Sequence, residues 1–227
     1  MISGADLIIT CPHCEALAKV FSIASGNPFG TIGWSDGYRD SPMMPTAPRI
    51  ARCQSCGKAF WTGQAQSIGY LLPEQGDAQR KPEWQAAPYL EPLDEAGLMN
   101  ALSEGLGCSA ELELELRVAI WWRGNDAFRR EDAPVGHATS PEACANMERL
   151  IEMMHESDED LLLFRAEALR HLGRFDEMEE TLRGVYCSDY WPAKSRLLEL
   201  GKAEDRKLRV LFTMELPEEE NALNPQG

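Results

Sequence analysis

From Ser109 to Arg129 the chain carries two periodicities at once. Glu111, Glu113 and Glu115 alternate with Leu112, Leu114 and Leu116, the two-residue repeat of a strand. Leu112, Leu116, Ala119 and Ile120 also fall at i, i+4, i+7 and i+8, the repeat of a helix. Residue type decides between them, because leucine and glutamate form helices well and strands poorly. Ser109 can cap the first turn, and Glu111 and Glu113 suit its positive end. The pattern therefore predicts a helix over 109–129. It is apolar on more than one face and should be central.

Other stretches resolve more simply. Asp94 is placed to cap a helix through "EAGLMNALSEGL". Residues 140–156 begin with serine and then Pro141 at the first helical position, and Met147, Leu150, Ile151 and Met154 form one core stripe. Residues 158–186 predict a helical hairpin, with Ser157 as cap, acids in the first turn, a break at Gly173 and a second helix opening at Phe175. Residues 192–213 predict a final helix, or two short ones broken near Gly201. The N-terminal part reads differently. "DLIIT" and "KAFW" are short β-prone segments. Between Gly26 and Pro48 glycines and prolines mark turns among Phe29, Trp34, Tyr38, Met43 and Met44. These side chains are expected to cover the small module's apolar side, with an exposed recognition loop as the rival reading. Prolines at 73, 82, 88 and 92 mark a linker, or an ordered strap laid over the next module. The expected architecture is α+β: a β-rich module over 1–70, the strap over 71–94, a helical domain over 95–214 and a disordered tail over 215–227.

Seven cysteines add chemistry to this outline. Cys11-Pro12-His13-Cys14 and Cys53-Gln54-Ser55-Cys56 each set two thiols three apart, 38 residues separating the pairs. Two such knuckles offer four soft ligands, which suits tetrahedral zinc. The arrangement resembles a zinc ribbon, in which each pair sits at the tip of a hairpin. Gly57 matches the ribbon position after the second ligand, while Glu15 stands where glycine is usual. The resemblance implies one structural Zn²⁺ held by Cys11, Cys14, Cys53 and Cys56. A thioredoxin-like redox pair would need a cysteine pair opening a helix, and the flanks here are β-prone. Cys108, Cys144 and Cys187 stand alone and read as small hydrophobes. A second metal site at Cys108, His137 and Cys144 lacks ligand spacing.

"ALRHLGRFDEMEETL" resembles a tetratricopeptide repeat, since Ala168, Leu172, Gly173, Phe175 and Leu182 fit its small, turn and aromatic positions, with Met178 in place of an alanine. The resemblance covers about one repeat. It implies packed helical pairs and a protein-binding role.

Charge narrows the candidate partners. The net of −15 is uneven: residues 1–70 carry five Lys/Arg against four Asp/Glu, whereas 95–227 carry 15 against 28, a net of −13. The helical domain thus repels phosphate backbones and favours a basic protein surface. No nucleophile elbow, P-loop or zinc-protease motif occurs, and a non-enzymatic protein is expected. The acids at 156 and 158–160 read as a solvated helix start. "WWRGNDAFRR" places Trp121, Trp122, Asp126, Arg129 and Arg130 as either packing with a helix-end ion pair or a partner hot spot. Glu177, Glu179 and Glu180 are expected to face solvent and steer a basic partner. Two rival readings are a nucleic-acid-associated ribbon using Lys19, Arg39, Arg49, Arg52 and Lys58, and an acidic inhibitor or immunity-type protein that neutralises a basic enzyme. No apolar run approaches the roughly 20 residues of a membrane span, and "MISGADLIITC" lacks a basic leader, so a cytoplasmic location is expected.

Overall fold

The computed structural model describes residues 1–72, 81–130, 135–154 and 158–215, and it is α+β with a helical C-terminal part. The central N-terminal sheet is antiparallel, with β2 (Asp6–Thr10) between β3 (Leu17–Val20) and β9 (Gln66–Leu71). β1 (Ile2–Ser3) pairs with β4 (Ile23–Ser25), and β7 (Ile50–Arg52) forms a hairpin with β8 (Ala59–Trp61).

The β7–β8 hairpin faces two cores. Ile50 pairs with Trp61, and Ala51 with Phe60. Because side chains alternate across a strand, the first pair packs with Leu93, Leu98, Leu116 and Ile120, and the second with Ile9, Cys11, Cys53 and Leu90. One small hairpin is thus shared by the cysteine module and the helices. Trp61 extends the link by donating its indole N–H to the carbonyl of Leu106 at 3.0 Å, and Arg49 pairs with Glu115 at 2.7 Å.

The helices follow their caps. Asp94, Ser109 and Ser140 each accept a backbone N–H at the start of α2 (Glu95–Ser103), α3 (Ala110–Asn125) and α4 (Pro141–Met153). A short α1 (Pro82–Ala86) precedes them. The hairpin is α5 (Glu159–Leu172) and α6 (Phe175–Arg183), closed by Gly173 in the left-handed conformation at φ 79°. Asp158 caps α5; the expected cap Ser157 lies outside the described residues. α3 packs on α2 and α4, and α5 packs on α4, α6 and α7 (Trp191–Lys202).

Three expectations change. The final helix ends at Lys202, and Val210–Thr213 is a strand, β10, rather than helix. It pairs with β5 (Ile32–Trp34), which also pairs with β6 (Arg39–Asp40). Residues 31–40 therefore lean on the helical part instead of covering the cysteine module. The strap spans both modules rather than the next one alone: Leu93 packs on α2 and α3, while Leu90 enters the core of the cysteine module, the N–H of Lys19 donates to the carbonyl of Pro88, and Tyr89 donates its hydroxyl to Asp6. Residues 73–80 of the strap, and the expected tail beyond Glu215, lie outside the described residues.

Candidate metal centre

The two cysteine knuckles repeat one backbone design. In each, the first cysteine's N–H donates five residues ahead, Cys11 to Ala16 and Cys53 to Lys58, both at 2.9 Å. Its carbonyl accepts from the residue four ahead, Glu15 at 2.9 Å and Gly57 at 2.8 Å. That fourth residue has positive φ in both, 61° at Glu15 and 75° at Gly57. Folding the chain back this way aims both thiols of each knuckle at one point.

All four sulfurs lie within 4.8 Å of one another. Cys11 Sγ is 3.9 Å from Cys56 Sγ, and Cys14 Sγ is 3.6 Å from Cys53 Sγ. A tetrahedron with Zn–S of about 2.3 Å has edges of about 3.8 Å, so this donor set fits a metal ion of that size. Cys11 and Cys53 are buried in an apolar core, while Cys14 and Cys56 are exposed. Burial pushes Cys53 up, but the N–H groups of Cys56 and Ser55, with the neighbouring thiols, outweigh it and bring its pKa down to about 7. Cys14 is pushed to about 12: the N–H of Ala16 lowers it, yet desolvation and its three sister thiols prevail. Four sulfurs this close cannot all ionise without a cation between them. Among the described residues no second group of three or more metal-ligating side chains converges. Cys108 is exposed, and Cys144 points at the carbonyl of Thr139.

The tryptophan and arginine cluster turns inward. Trp121 is 3% exposed, in the helical core. Trp122 donates its indole N–H to the carbonyl of Asp36 at 2.9 Å and meets Tyr38 edge-on. Arg129 pairs with the fully buried Asp36, with Asp126 at 2.7 Å, and lies over the Tyr38 ring. Asn125 donates to Asp36 at 2.9 Å. Burial pushes the Asp36 carboxyl up, against the pull of Arg129 and Asn125. Of the expected partner-binding set, Trp122 and Arg129 therefore secure the 34–38 turn, Asp126 holds Arg129, Trp121 packs in the helical core, and Arg130 is exposed. Glu177 and Glu180 face solvent but pair with Arg174 and Arg183, and Glu179 is half-buried.

A buried polar set on α5 was not anticipated. Glu167, Arg170 and His171 are all fully buried. Arg170 grips both oxygens of Glu167 at 2.6 and 2.7 Å and donates to the carbonyls of Asp205 and Lys207. His171 Nε2 lies 3.0 Å from Glu167, off-line for a hydrogen bond, and its ring stacks on His137 at 4.5 Å. Burial alone raises Glu167, but His171 and Arg170 hold it at about 2. Glu167, Arg170 and His171 match no motif, and nothing in their spacing marks them. The basic residues of the cysteine module are dispersed: Arg49 engages α3, Lys19 engages the strap at Gln85 and Tyr89, and Arg39 lies over Phe212. No protein-family model, no curated protein and no solved structure matches the chain.

Proposed function

We propose that this is a non-enzymatic protein-interaction protein, in which one zinc ion fixes the N-terminal module and the acidic helical part binds a partner with a basic surface. The convergence of four thiols at tetrahedral spacing carries the metal half of the reading. Four protein thiolates close the coordination shell, so no position is left for a catalytic water, and the ion's role is structural. Free thiols also suit a reducing, cytoplasmic setting. The net of −13 over 95–227 supports the partner half, since complementary fields accelerate docking. Helical pairs of the tetratricopeptide type would supply the binding faces. Affinity capture from the native cell identifies the partner, and its association rate with the purified chain is then measured at two salt concentrations. The rate should fall severalfold as salt rises. A rate indifferent to salt would remove the electrostatic half of this reading.

A further inference from the structure

Of the six tryptophans only Trp191 is exposed, at 57%, and Tyr186 is 77% exposed. Single exposed apolar residues need no explanation, but these two share a setting. Both lie at the turn joining α6 to α7, and that turn is clasped to the first turn of α5. Glu159 accepts the backbone N–H groups of Tyr186 and Cys187 at 2.8 and 2.7 Å. The Tyr190 hydroxyl bonds to Asp160, next to Trp191 in the chain. The segment that carries the two rings, with Asp189 in it, is thereby tied to the first turn of α5, where Asp158, Glu159 and Asp160 lie.

The charge of this patch is uncompensated. On α6, Glu177 is answered by Arg174 and Glu180 by Arg183. Among the described residues, Asp158, Glu159, Asp160 and Asp189 form no ion pair. The first three hydrogen-bond to neutral groups, which leaves their charge in place. Lys194 is near but spends its ammonium on the carbonyl of Val185. Adding that lysine and the half positive charge of the α5 N-terminus leaves a net of roughly −2.5.

We propose that the α6–α7 turn and the first turn of α5 form a docking surface for a basic segment of a partner protein, an arginine or lysine side chain seating against Trp191 and Tyr186 beside the carboxylates. Aromatic faces attract cations, tryptophan most strongly, and the carboxylates supply long-range attraction. The same charge repels nucleic acid and anionic lipid. The inference rests on the basic-partner reading above and assigns it a place.

The test titrates hexa-arginine peptide into the zinc-loaded full chain and follows the ¹⁵N-labelled indole resonances. The Trp191 resonance is identified by its loss in Trp191→Ala. It should shift saturably, while those of buried Trp61 and Trp121 stay fixed. Trp191→Ala should weaken binding about tenfold, Asp189→Asn should weaken it less, and Glu179→Gln/Glu180→Gln should leave it nearly unchanged. If Trp191→Ala lowers the melting temperature, Tyr186→Ala provides the truncation instead. Binding that survives both truncations but fails in Glu179→Gln/Glu180→Gln overturns this surface and leaves the basic-partner reading standing. Absence of binding at low salt overturns both. A Trp191 shift that follows protein concentration rather than peptide assigns the patch to a second copy of the chain and also overturns the proposal.

Discussion

Glu15 and Gly57 occupy the same place in the two knuckles, and only glycine is suited to it. The left-handed conformation costs an ordinary residue roughly 1–2 kcal/mol, and Gly57 avoids that cost. Glu15→Gly should therefore raise stability by up to about 1 kcal/mol, part of the gain being lost to the freer unfolded chain. Chemical denaturation of the metal-loaded protein measures it, and a destabilised variant would contradict the strain assigned to Glu15. His137 carries a different residue-scale consequence. Its Nε2 is buried without a partner, and burial, with His171, Arg206 and Arg170 nearby, lowers its pKa from 6.5 to about 4. The folded value lies below the unfolded one, so the unfolded chain takes the proton first as pH falls. The stability tied to neutral His137 is complete above pH 6.5 and is lost as pH drops toward 4. Melting temperatures of wild type and His137→Phe should diverge across that window, wild type falling more steeply. Parallel curves would show that His137 does not titrate this way. Asp36 is the third case. Removing its carboxylate leaves the Arg129 guanidinium, 8% exposed, without its buried partner, a loss of about 3–5 kcal/mol. Asp36→Ala should be far less stable in urea than Asp36→Ala/Arg129→Met. Equal losses would mean the pair is not coupled.

At the scale of elements, legibility follows the range of the interactions. The starts of α2, α3 and α4 were readable because Asp94, Ser109 and Ser140 act on N–H groups three residues away. Gly173 was readable for the same reason. β10 was not, because its partner, β5, is more than 170 residues upstream and no local signal marks the pairing. The glycines and prolines of 26–48 mark its turns, but neither β5 and β6 within it nor its destination was legible. Asp36 lies 89 residues from Asn125, and no local rule foretells that a loop aspartate will be buried. The tryptophan cluster shows the same limit. Its composition suits both an interface and a core, and only the docking of the 34–38 turn reveals that the surface it recognises is its own chain. The knuckles were fully legible, since thiol spacing and turn geometry are both local.

At the scale of the molecule, the β7–β8 hairpin joins the cysteine cluster to the helices by packing into the core of each. Ala51 and Phe60 touch the core that holds Cys11 and Cys53, while Ile50 and Trp61 touch the core of α2 and α3. Order that a bound metal imposed on the knuckles would therefore pass to the helices through adjacent residues of the same two strands. Metal binding and folding are linked wherever thiolates need a cation to coexist. The most direct measurement is elemental analysis of the purified chain, paired with its melting curve before and after chelation. The account predicts about one zinc per chain, lost in Cys53→Ser, with a melting temperature that drops on chelation for the helical signal as well. A metal-free chain that melts at the same temperature as the zinc-supplemented one would contradict it.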